Sequence, residues 1–125
     1  MYMSKEKIEL EYLINCSPKV LFNRLSTASG LAEWFADDVS VNGKKFTFFW
    51  EDAENVAELT FIKENLIVHF EWVEDKTYFE FKITRDELTG DVSLIVIDFA
   101  EPDEKDDTRS LWESLIVKLR HVVGS

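Results

Sequence analysis

The chain has 125 residues, of which 46% are hydrophobic, and this composition fits one folded domain with a core of its own. Its formal net charge of −11 argues against nucleic acid and anionic membrane surfaces as partners, because both carry negative charge. Cys16 is the only cysteine, so neither an internal disulfide nor a cysteine-based metal site can form. No stretch has the length and apolarity of a signal peptide or a membrane span. We therefore expect one soluble, cytoplasmic domain over residues 1–125, without membrane insertion.

The N-terminal part of the chain predicts one strand and two short helices. Apolar and charged residues alternate over residues 8–14, as in a strand with one face toward a core. Ser17-Pro18 supplies a helix N-cap and a first helical residue, so a short amphipathic helix follows through Leu25. A second short helix is predicted over residues 28–35, with Trp34 and Phe35 on one side.

Six more strands are predicted downstream, from apolar residues at alternate positions or in a continuous run. They cover residues 39–41, 46–50, 57–61, 66–72, 79–83 and 92–99. Asn42-Gly43 predicts a type I′ turn, in which both central residues have positive φ. The last strand is apolar on both faces, which favours a central or doubly covered position and leaves open which of its side chains face the core.

The C-terminal segment predicts one long amphipathic helix. Apolar residues recur at helical spacing from Leu111 to Val123, and Gly124 can end the helix. The five acids among residues 101–107 suit a solvated loop at the positive end of the helix dipole, and they lack the Asp-x-Asp-x-Asp-Gly pattern of a calcium loop. Strands joined by short turns pair antiparallel, and their apolar face needs a cover. The element order therefore predicts an α+β fold in which about seven strands curl around the C-terminal helix.

Several segments resemble a known superfamily. They are Cys16-Ser17-Pro18-Lys19-Val20-Leu21-Phe22, residues 31–35, residues 46–50, and the final helix with Trp112 and Leu115. Together they resemble the START-like superfamily, also called the SRPBCC or helix-grip fold, over essentially the whole chain. Within it the chain is most similar to the branch that contains the C-terminal domain of the heat-shock-protein-90 ATPase activator. The resemblance implies a cavity between helix and concave sheet, which holds an apolar molecule in many relatives and is small or closed in others.

The polar residues do not form a recognisable catalytic or metal-binding set. His69 lies between Val68 and Phe70, so strand alternation places it on the outer face. His121 lies near a helix C-terminus and has no metal-ligand spacing to His69. Cys16 has no base beside it that would activate a thiolate. We therefore predict no catalytic residue, no metal and no cofactor.

The aromatic residues are the most suggestive candidates for function. They pack as core or line a pocket, where indole N–H groups or the Tyr78 hydroxyl can serve as polar contacts. The candidate ligand-binding residues are Trp50, Phe70, Trp72, Phe81, Trp112 and Leu115.

Three functions compete. The first is a non-catalytic domain that binds a small apolar molecule. The second is a protein-interaction module, such as an activator of a heat-shock ATPase, with an exposed apolar patch around Trp34-Phe35 flanked by acids. The third is a polyketide cyclase-like enzyme, which would need polar groups inside a cavity whose assigned inward positions are nearly all apolar. Neither a protein partner nor the oligomeric state follows from the sequence.

Overall fold

A seven-stranded sheet is the largest feature of the computed structural model, which describes residues 5–124. The strands are β1 (Glu6–Leu13), β2 (Asp38–Asn42), β3 (Lys45–Trp50), β4 (Ala53–Lys63), β5 (Ile67–Trp72), β6 (Tyr78–Arg85) and β7 (Val92–Ala100). Their order in the sheet is β1-β7-β6-β5-β4-β3-β2, and every neighbouring pair is antiparallel. The predicted α+β helix-grip fold is confirmed.

Two short helices connect β1 to β2. They are α1 (Pro18–Ser26) and α2 (Ala28–Leu31). As predicted, Ser17 caps α1, where its Oγ accepts a hydrogen bond from the Val20 N–H at 3.2 Å. The second helix is shorter than predicted, and a turn follows it in which the N–H groups of Trp34, Phe35 and Ala36 all point to the Leu31 carbonyl.

The long helix α3 (Lys105–Val123) follows a 3₁₀ turn at Pro102–Glu104. Its 19 residues span about 28 Å. Trp112, Ile116 and Leu119 recur at helical spacing and are buried against the sheet. Leu111 was expected in the same apolar stripe, but 58% of it is exposed. Within residues 5–124, no helix is long and apolar enough to cross a membrane.

Both ends of α3 are fixed by specific contacts. Gly124 ends the helix with φ 76°, a left-handed conformation that glycine adopts without strain. The Arg120 side chain donates from Nε and Nη2 to the Leu13 carbonyl, at 3.1 and 2.9 Å. This contact ties the last turns of α3 to the end of β1, so the helix lies at a defined position across the sheet.

The faces of β7 are settled by its neighbour β6. Val96 pairs with Phe81, and both side chains are fully buried in the core beneath α3. Alternation then places Val92 and Leu94 on the same inner face, and Asp98 follows at the next inner position. A polar residue therefore ends an otherwise apolar inner row.

The predicted Asn42-Gly43 turn is wrong. The β2–β3 turn has Gly43 and Lys44 at its centre, and Asn42 pairs with Lys45 as part of the sheet. That register pairs Val39 with Phe48, and both side chains are buried, which favours it over the register of an Asn-Gly turn. In β4, a bulge interrupts the pairing with β5 after Leu59.

Candidate functional site

A cavity of about 500 Å³ lies between α3 and the concave face of the sheet. Its walls come from the turn after α2, from β3, β5, β6 and β7, and from one side of α3. The cavity that the resemblance implied is therefore present, and it is open at one side of the helix rather than filled by core side chains.

The predicted site residues divide into two groups. Trp50, Trp72, Trp112 and Leu115 all line the cavity. Phe70 and Phe81 do not, because both are fully buried in the core behind it. Ligand binding by the first four stays a prediction, while Phe70 and Phe81 can act on the cavity only by packing.

The cavity wall contains a continuous set of aromatic rings. The Phe35 ring centroid lies 5.3 Å from Phe79, 5.7 Å from Trp50 and 5.8 Å from Trp112. Trp72 joins the set through Phe79, at 4.8 Å. Phe35 and Phe79 were not among the predicted site residues. Their periodicity predicts that both side chains are buried. It does not distinguish a residue in a filled core from one that lines a cavity.

Hydrogen bonds fix three of the four indole rings that line the cavity, those of Trp34, Trp50 and Trp112. Trp50 donates its N–H to the Phe35 carbonyl at 3.0 Å, and Trp112 donates its N–H to Asp98 Oδ2 at 2.8 Å. The Trp72 N–H makes no hydrogen bond to any residue between 5 and 124. An indole N–H is only a donor, so Trp72 offers a donor at the cavity wall.

Asp98 is the one ionisable side chain that β7 brings to this cavity. Its carboxyl group accepts the Trp112 N–H on Oδ2 and the Phe99 backbone N–H on Oδ1, both at 2.8 Å. Burial raises the pKa of the Asp98 carboxyl above its ordinary value of 3.8, although these two hydrogen bonds act in the opposite direction. Asp98 was not among the predicted site residues. The available signal was its place two positions after Val96, which became useful only once the inner face of β7 was known.

A second, smaller cavity of about 250 Å³ lies on the other side of Asp98. Asp98 and Trp72 line both cavities. The second cavity is more polar, and Lys5 Nζ forms an ion pair there with Asp75 Oδ2 at 3.0 Å. The Asp98 carboxyl therefore lies between an aromatic cavity and a charged one.

The remaining polar candidates lie away from the cavity. His69 is on the outer face as predicted, where its Nδ1 is 2.8 Å from Glu80 Oε1 and its ring packs against Tyr78 at 4.5 Å. Burial raises the pKa of the Cys16 thiol, which disfavours the reactive thiolate. Within the described part of the chain, no three His, Cys, Asp or Glu side chains are grouped so that they could hold a metal ion.

The prediction of an exposed apolar patch around Trp34-Phe35 is wrong. Only 2% of Trp34 and 5% of Phe35 is exposed. Trp34 is fixed inside because its indole N–H donates to the Arg24 carbonyl at 2.9 Å and its ring packs on Phe81. These two residues belong to the cavity wall and the core rather than to a docking surface.

Proteins of known structure share this architecture. The model of the START-like superfamily domain matches residues 2–125. Protein BfR322 from Bacteroides fragilis is 41% identical, over 96% of this chain and 92% of that one, with a TM-score of 0.68. Aha1 from Colwellia psychrerythraea, solved as a dimer, is 18% identical over 94% of this chain and 96% of that one, with a TM-score of 0.81. The AHSA1-like protein from Aeromonas hydrophila is 14% identical over 95% of this chain and 92% of that one, with a TM-score of 0.76. Among curated proteins, none matches the chain. The similarity predicted from the sequence, including its branch, is confirmed.

Proposed function

This chain belongs to the START-like superfamily, and we propose that it binds one small, mostly apolar molecule in the cavity between α3 and the sheet. The observation that carries the proposal is the cavity itself. Its volume of about 500 Å³ falls within the range of about 300–1,000 Å³ that is usual for small-molecule sites. Its wall combines aromatic rings with few polar groups, as such sites do.

The lining favours binding over catalysis. Apart from Asp98, the ionisable side chains of the cavity are Glu33, Asp37 and Lys118, all exposed. The lining contains no His, Cys, Ser or Tyr among the described residues. A cyclase-like reaction needs a second group to move a proton or activate a nucleophile beside the first. One carboxyl among aromatic rings is better suited to orient a bound molecule.

Native mass spectrometry of protein purified from its own cells tests the proposal. We expect an added mass that survives gentle ionisation and is lost on denaturation. Leu115→Trp fills part of the cavity and should lower the bound fraction. Val117→Trp is the control, because it adds the same side chain on the exposed side of α3, where 64% of Val117 is accessible. It should leave the bound fraction unchanged. An unoccupied native chain, or equal occupancy in the two variants, contradicts binding at this cavity.

A protein-interaction role is the second candidate, and one surface favours it. Around the β4–β5 connection, Phe61, Ile62 and Leu66 are all exposed large hydrophobic residues, with 53% of Phe61 accessible. If this surface stimulates a heat-shock ATPase, Phe61→Ser should abolish the increase in ATP turnover. Leu88→Ser, at an exposed turn elsewhere, should leave it intact. If saturating native protein does not increase ATP turnover, this candidate function is excluded.

A further inference from the structure

We infer that the molecule held in this cavity carries one amine-type cation, which the Asp98 carboxylate binds among the indole rings. This rests on the proposed function and names the chemical class of its ligand.

Asp98 has acceptor capacity left for a ligand. An ionised carboxylate offers about four lone-pair sites. Trp112 uses one site on Oδ2 and Phe99 uses one on Oδ1. Because Asp98 lines the cavity, its remaining lone pairs can accept hydrogen bonds from a molecule inside it. Ammonium and hydroxyl groups can both donate such bonds, so the surrounding charge must decide between them.

The charges around Asp98 favour a cation. Lys5 is already paired with Asp75, and Lys118 lines the cavity with an exposed side chain. The ionisable residues lining the two cavities are the acids Glu33, Asp37, Glu74, Asp75 and Asp98, and the bases Lys5 and Lys118. Five carboxyl groups against two amines attract a cation and repel an anion, and the chain's net charge of −11 acts in the same direction.

The aromatic wall supplies what a partly dehydrated cation needs. A cation over the face of an indole is stabilised by the ring quadrupole, and Trp is the best of the aromatic residues for this contact. Trp72 and Trp112 line the cavity together with Asp98. Burial disfavours the ionised form of Asp98, which is why its pKa is raised. A bound ammonium group would offset this cost through its attraction to the carboxylate. A neutral ligand would leave that cost in place.

Calorimetric titration of the full chain with three matched probes tests the inference. They are 4-phenylbutylamine, 4-phenylbutan-1-ol and 5-phenylpentanoate, which share one apolar body and differ in charge. At neutral pH we expect the amine to bind at least about ten-fold more tightly than the alcohol, and the carboxylate more weakly than both. Asp98→Asn should remove the preference for the amine, so that amine and alcohol bind within about two-fold of each other. Asp103→Asn makes the same change on an exposed residue outside the cavity and should preserve the preference.

The outcomes separate this inference from the proposed function. Equal affinity for amine and alcohol overturns the inference while leaving the binding function intact, and so does a preference that survives Asp98→Asn. Failure of all three probes to bind counts against both. If Asp98→Asn does not fold, the native chain gives the same answer through pH. Amine affinity should fall as pH drops through the raised pKa of Asp98, whereas alcohol affinity should not, and a flat amine profile refutes the inference.

Discussion

Replacing Trp112 with Phe tests the contact that positions Asp98. The change keeps an aromatic ring but removes the N–H that donates to Asp98 Oδ2 at 2.8 Å. A hydrogen bond to a charged group contributes about 1.5–3 kcal/mol, so the free energy of unfolding should fall by that amount at neutral pH, plus a term for the smaller ring. When Asp98 is protonated, the same bond is between neutral groups and contributes about 0.5–1.5 kcal/mol. The loss should therefore shrink as pH falls through the Asp98 pKa.

Trp34→Phe is the matched control for this prediction. Trp34 is 2% exposed and Trp112 is 3% exposed, so the loss of ring volume is comparable. The Trp34 N–H donates to a neutral carbonyl, that of Arg24, at 2.9 Å. The free energy of unfolding lost in Trp34→Phe should therefore not depend on the protonation of Asp98. Urea unfolding of the native chain and both variants, at neutral pH and at a pH below the Asp98 pKa, gives the comparison. Equal, pH-independent losses in the two variants would refute the role we give to the ionised Asp98.

Two further predictions concern the frame of the site. Burial raises the pKa of Asp75, but hydrogen bonds from Thr77 and Lys5 outweigh it and lower that pKa from 3.8 to about 2. Because this pKa is lowered in the folded state, the stability it contributes is present above the unfolded value and is lost as pH falls toward about 2. Asp75→Asn should therefore lower the free energy of unfolding by at most about 1 kcal/mol at neutral pH, since the Lys5–Asp75 pair is partly exposed. At low pH the decrease should be small, and unfolding measured across an acid titration checks both values. Gly30→Ala should destabilise the chain by about 1–3 kcal/mol, because the added Cβ would lie 2.4 Å from a backbone oxygen of α1. Thermal unfolding measures this effect, and an unchanged midpoint would contradict the close packing of α2 on α1.

The long periodic segments could be predicted from the sequence because one physical signal dominates each of them. In α3, the apolar spacing and Gly124 point to the same helix and the same end. In β5 and β6, one face is apolar and the other polar, so a shift by one residue would expose the core side chains. The helix-grip architecture follows from these elements, since the sheet has one apolar face to cover.

The candidate site was harder to predict because its features depend on contacts between distant parts of the chain. β7 is apolar on both faces, so only its pairing with β6 shows that Asp98 points inward. Trp72 and Phe70 have the same phase on β5, yet only Trp72 lines the cavity. What separates them is the position of α3 across the sheet, to which the Arg120 contact with Leu13 contributes. No local pattern in β5 contains that information.

Nuclear Overhauser contacts between a bound probe and the protein test binding at this cavity most directly. With 4-phenylbutan-1-ol, we expect contacts to the Leu115 methyl groups and to the Trp50 and Trp72 rings, because all three line the cavity. The Leu119 methyl groups, one turn further along α3 and fully buried, should show none. Contacts confined to Phe61 and the β4–β5 connection, or no contacts at saturating probe, would contradict the proposal that the space under α3 is the binding site.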